Sequence, residues 1–156
     1  MRRPVETSDV LATVIALSVD DVLGNPGILE KHRANALREI AAFRGQPFTG
    51  SGGSLLATFD GPARAIRCAA AIRDFPRQLG VAVCIGMHTG QCQIGSPQPA
   101  GAAVDVATSL SAMARPGEVL ASRTVRDLVA GSGLLFTARG SHAFPELGEV
   151  ALFGVV

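Results

Sequence analysis

Residues Leu11–Val19 read LATVIALSV, a run in which only Thr13 and Ser18 are polar. A continuous β-prone stretch without alternation is what a strand needs when both of its faces are buried. A chain built around such a strand must lay other elements over the sheet on each side. With 156 residues there is room for one domain with a real core, and not for two comfortable ones.

The rest of the chain supplies the covering elements. Asp20-Asp21 ends the run, and Asn25-Pro26-Gly27 marks a turn. A helix is predicted over Ile28–Phe43, where Leu29, Ala36, Leu37, Ile40 and Phe43 recur at helical spacing, and Gly45 and Pro47 stop it. Leu55–Phe59 reads as a second strand. Asp60 stands as N-cap two residues before Pro62, opening an Ala-rich helix to about Leu79 that Pro76 should break or kink near its end. Val81–His88 reads as a third strand and 90–101 as a loop. A small-residue helix follows over Ala102–Ala114, then a strand at Glu118–Ala121. Ser122 is placed to cap a helix over 123–130, and Leu134–Ala138 and Val150–Val156 read as terminal strands. Strands and helices alternate with hairpin-like pieces between them, so an α/β (α+β) mixed sheet with helices packed on it is expected. Residues 1–10 are assigned as a flexible lead-in and 11–156 as a single domain.

Charge excludes more than it selects. The net formal charge is +1, thirteen of the basic residues are arginines scattered along the chain, and Lys31 is the only lysine. Trp and Tyr are absent. No nucleic-acid partner is expected, because there is neither a basic field nor an aromatic platform for bases. The three cysteines, Cys68, Cys84 and Cys92, have no CxxC spacing and read as reduced intracellular thiols. The opening MRRPVETSD has no apolar signal core, and the longest apolar stretch is too short to span a bilayer. A cytoplasmic domain with no membrane partner is the expectation.

Several residues invite chemistry. The stretch FTGSGGSLLATF (48–59) is glycine-rich before a strand, a pattern that can cradle phosphate. Asp20-Asp21 is either a metal-binding pair or a solvated strand end. His88 is expected to face a turn rather than act as a ligand, and Cys84 and Cys92 to flank a hairpin as buried, inert thiols. Ala65, Ala69 and Ala70 form a stripe suited to close helix–sheet packing.

DGPARAIRCAAAI (60–72), CIGMHTG (84–90), GAAVDVA (101–107) and PGEVLASRTVRDLVAGSG (116–133) resemble the catalytic domain of class III adenylate/guanylate cyclases of bacterial type. KHRANALREIAAFRG (31–45) and the closing GEVALFGVV fit the same pattern. The resemblance covers nearly all of the chain from about Leu11, in the family's order. It implies a ferredoxin-like βααβ core with an added β-rich end, working as a head-to-tail dimer.

The resemblance also says where the chemistry should be. In such cyclases two carboxylates of one protomer hold two metal ions, which clamp the triphosphate and activate the ribose hydroxyl. The partner supplies a Lys and an Asp, or substitutes, that read the purine, and an Asn–Arg pair for the transition state. Matched from Thr13-Val14-Ile15, the first carboxylate position is Ser18. A register shift brings Asp20 or Asp21 there instead, and a shift of two, which preserves facing, favours Asp20. The family's GDGF becomes Gly52-Gly53-Ser54-Leu55, so Gly53 replaces the second carboxylate. The purine readers become Thr49 and Gln98, and the transition-state pair becomes Asp105 and Ser109. No lysine follows Lys31 to contact the triphosphate.

These losses imply a degenerate member. Neither Ser18 nor Gly53 offers the anionic oxygen that Mg²⁺ prefers. Asp105 brings negative charge where negative charge develops, and Ser109 removes a phosphate clamp. The reading is a catalytically silent cyclase-homology domain that acts in signalling by homodimerising or by docking with another cyclase-like domain. No catalytic, metal or cofactor residues are expected, and Mg²⁺ or Mn²⁺ enters only if activity is retained. Two alternatives stand beside it: a module binding a small molecule in the old dimer cleft, and an atypical cyclase using Asp20 or Asp21.

Overall fold

A computed structural model describes residues 8–20, 26–50, 53–78, 82–95 and 98–156. The buried run forms β1, Ser8–Asp20, at the centre of a seven-stranded sheet. It begins at Ser8, so Ser8–Val10 of the expected lead-in belong to the strand, and residues 1–7 lie outside the described residues. Val14, Ile15, Ala16 and Leu17 are all buried, as the unbroken apolar run requires.

The first helix, α1 (Pro26–Ala42), carries Pro at its first position, where the missing N–H costs nothing. Ala36 and Ile40 are buried against the sheet, but Leu37, expected on the apolar face, is exposed. The chain reverses at Arg44, whose φ is 62°, and the Gly45 N–H reaches back to the Ile40 carbonyl at 2.8 Å. Gly45 is required by proximity: a Cβ there would sit 2.6 Å from the Phe59 ring. A hairpin follows, β2 (Gln46–Thr49) and β3 (Leu55–Phe59). Pro47, which has no N–H to donate, is accommodated because β2 is an edge strand of the sheet.

The next helix, α2 (Pro62–Gln78), runs to about the expected end and is not broken at Pro76. β4 (Ala82–Ile94) pairs with the whole of β1, from Ser8↔Ile94 to Asp20↔Ala82. Residues 90–94, expected in a loop, are therefore strand, held by the equally long β1. Then come α3 (Ala102–Met113), β5 (Val119–Ser122), α4 (Arg123–Leu128), β6 (Phe136–Phe144) and β7 (Gly148–Val155). The strand order is β2-β3-β1-β4-β5-β7-β6, with β4 and β5 parallel and the other pairs antiparallel. This is the mixed α+β sheet expected, with the βααβ core elaborated by a β-rich end.

Strand alternation divides the core. Ile15, Leu17, Ile85 and Met87 pack with Ile40, Ala65, Ile66, Ala69 and Val125 of α1, α2 and α4. Val14, Ala16, Cys92 and Leu120 face the other way, towards Ala103, Ala107, Val106 and Leu110 of α3. Gly86 lets α3 lie directly on β4, because a Cβ there would meet the Ser111 N at 2.2 Å and the Ala107 carbonyl at 2.3 Å. Beyond α3, the Glu118 carboxylate accepts two bonds from Arg139 at 2.7 and 3.1 Å. Burial pushes its carboxyl up, but the bonds from Arg139 and Arg115 outweigh this and hold it below the ordinary range.

Candidate functional site

Two cavities border the glycine-rich hairpin, and the positions singled out from the sequence divide between them. The first, about 300 Å³, lies among the end of β1, α1 and the start of β3. Leu17, Ser18, Val19, Leu29, His32, Arg33, Gly53, Ser54 and Leu55 line it. Both positions matched to metal carboxylates, Ser18 and Gly53, are therefore on one cavity.

Neither is equipped for a metal. The Ser18 hydroxyl is 3.0 Å from Ser111 Oγ on α3 and 3.4 Å from the Cys84 carbonyl, to which Ser111 also donates at 3.1 Å. That hydroxyl is tied into a ladder joining β1, β4 and α3. Gly53 has φ +80° with open space around it, a left-handed turn position that strains any residue carrying a Cβ. Among the described residues no three His, Cys, Asp or Glu side chains gather as a metal ion would require. The donors present do not fit the two-metal arrangement, and no chemical step is derived through it. Asp20 is the last residue of β1, opposite Ala82, and Asp21 lies outside the described residues.

The second cavity, about 450 Å³, lies between the hairpin and α3. Gln98, Asp105 and Ser109 line it with Phe48, Gly50, Ser54, Leu56, Val104 and Thr108. Asp105 and Ser109 are one turn apart on α3 and both exposed, so their positions share a helix face. Thr49 ends β2 opposite Leu55 and is exposed beside this cavity, next to the lining residues Phe48 and Gly50. Three of the four positions matched to purine and transition-state groups are thus brought together by folding, without a cationic side chain among them.

Two histidines were placed differently by the fold. His88 does not face a turn: it is buried in β4, and its Nδ1 is 2.6 Å from Ser122 Oγ. Burial lowers its pKa to about 4, despite the opposing influence of Glu146, so the ring is neutral at physiological pH. Ser122 consequently does not cap α4 with its side chain, because its hydroxyl is engaged by His88. His32, which drew no attention in the sequence, lines the first cavity at 4% exposure. Among the described residues its Nδ1 has no hydrogen-bond partner, and neither has Asn35 Nδ2 one turn on. Burial lowers the His32 pKa as well. The signal was available: His32 falls between Leu29 and Ala36 on the apolar stripe of α1.

The three cysteines are buried free thiols, as expected. Cys84 and Cys92 lie within one strand rather than astride a hairpin. Burial pushes the Cys68 thiol up to about 12, with Glu39 adding to it, and raises that of Cys92. Thiols held protonated in this way are poor nucleophiles and ligands.

No protein-family model matches the chain. Among curated proteins it is similar to putative adenylate cyclase 3 of Rhizobium meliloti (strain 1021), 27% identical over 112 residues. That match takes in 66% of this chain but only 19% of the relative's length. Among solved structures it resembles an adenylate/guanylate cyclase/hydrolase from Silicibacter pomeroyi, with TM-score 0.81 and 23% identity over 96% of this chain and 98% of that one. The adenylyl cyclase CyaB from P. aeruginosa gives TM-score 0.82 and 18% identity over 97% and 96%. The guanylyl cyclase domain of the RhoGC fusion protein from Blastocladiella emersonii gives 0.80 and 14% over 97% and 98%. The chain has the fold of the class III adenylate/guanylate cyclase catalytic domain, and the resemblance read from its sequence holds across nearly its whole length. Among the described residues no helix is long and apolar enough to cross a membrane.

Proposed function

We propose that the chain is a catalytically silent cyclase-homology domain, a pseudocyclase, that acts in signalling by pairing with a second copy or with another cyclase-like domain. One observation carries this reading: a cyclase fold surrounds two cavities lined by the matched positions Ser18, Gly53, Gln98, Asp105 and Ser109, with Thr49 beside the second. Metal coordination needs carboxylates that Ser18 and Gly53 do not supply. Transition-state stabilisation needs positive charge where Asp105 and Ser109 stand. Pairing with an active cyclase domain does not repair either site, because this chain lacks residues from both halves. Support for pairing comes from the guanylyl cyclase domain of B. emersonii, which is described as dimeric. Cyclases from Trypanosoma brucei with the same fold are described in a monomeric state, so the association has to be measured.

Production of cyclic AMP and cyclic GMP from ATP and GTP with Mg²⁺ or Mn²⁺ tests the reading. Background turnover is the expected result. Robust metal-dependent turnover, abolished by replacing Asp20 and Asp21 with Ala, would establish the atypical cyclase instead.

A second reading is favoured by the first cavity. Walls of Leu17, Leu29 and Leu55 suit a small organic ligand better than a hydrated triphosphate. In this reading the chain is a ligand-binding module in which the former metal subsite has become a pocket. A thermal-shift panel of nucleotides and apolar metabolites checks it, since a specific ligand raises the melting temperature by mass action.

A further inference from the structure

We draw no further inference here: the strongest candidate, the surface groove lined by Arg73, Arg115 and Arg139 where α2 meets β7, carries nothing, because Arg73 is bonded to Asp74 and the Val155 carbonyl, Arg139 is bonded to Glu118, and nothing in the structure shows what covers it.

Discussion

The cavity beside α1 and the cavity under α3 share the hairpin as a wall, yet they depart from phosphate chemistry in different ways. In the first, neither candidate carboxylate position offers a carboxylate: the Ser18 hydroxyl is bonded to Ser111, and Gly53 has no side chain. The rest of its described lining is leucine, Val19, Ser54, Arg33 and the buried His32. In the second, the positions remain polar, but Gln98, Asp105 and Ser109 carry no positive charge among them. On the proposed reading, one cavity departs from a cyclase site by removal of side chains and the other by reversal of charge. Neither route disturbs the fold, because none of these side chains belongs to the three apolar clusters that hold the sheet and helices together.

Substitutions at the scaffold and at the cavities should therefore differ in scale. The largest effect is expected at Gly86, where Gly86→Ala drives a methyl into the α3 backbone. A loss of about 3 kcal/mol or outright unfolding is expected, measured by denaturant midpoint. Gly53→Ala, in open space but at φ +80°, should cost only about 1 kcal/mol. Equal losses at the two glycines would break the distinction between scaffold and site.

Acid is expected to act nearly as strongly. His88 has its folded pKa lowered to about 4 from 6.5, and that of His32 is lowered in the same direction. Between these values the unfolded chain binds protons that the folded chain refuses. Stability should therefore be full above pH 6.5, fall as pH drops towards 4, and lose no more to His88 below that. The His88 contribution is about 3 kcal/mol at most. Denaturant midpoints at pH 7, 5.5 and 4.5 check it, and a chain equally stable across that range would show that His88 charges in place.

A smaller effect is expected at the ladder behind Ser18. Ser111→Ala removes the bond to the Cys84 carbonyl and the partner of Ser18, for a loss of about 1 kcal/mol. The smallest is expected in the second cavity. Asp105→Asn with Ser109→Arg should change stability by no more than about 0.5 kcal/mol, because both residues are exposed. The pair should also leave cyclic nucleotide production at background, since the metal positions remain empty of carboxylate. Turnover appearing in this double variant would mean that only half of the site had been lost.

Much of this was legible in the sequence because apolar periodicity reports burial directly. LATVIALSV became the central strand, and Ala65 and Ala69 became buried contacts of α2. Proline was a fair guide at α1, which ends at Ala42 before Gly45 and Pro47 as expected, and a poorer one at Pro76, which does not interrupt α2. Pro47 also fits the edge strand β2, and Pro76 costs α2 the one N–H bond back to the Ile72 carbonyl without ending the helix before Gln78. Residues 90–94 looked like loop because their polar composition does not show that β1 extends far enough to pair with them.

The cavities were half legible. Motif spacing located Ser18, Gly53, Gln98, Asp105 and Ser109, but spacing does not say that Ser18 bonds to a serine 93 residues away. Nor does it say that Ser122 bonds to His88 instead of capping its own helix. His32 was hidden by the helical pattern around it. A polar residue on an apolar stripe is the sign to look for, and its missing partner appears only once β1, α1 and β3 are assembled.

The most direct test of the central claim is metal binding, followed by the enhancement of water-proton relaxation as the chain is titrated with Mn²⁺, alone and with a non-hydrolysable ATP analogue. A site without two carboxylates should give no saturable binding below millimolar Mn²⁺, and no change on replacing Asp20 and Asp21 with Asn. Saturable micromolar binding that those replacements abolish would contradict the account and restore the chain to the active cyclases.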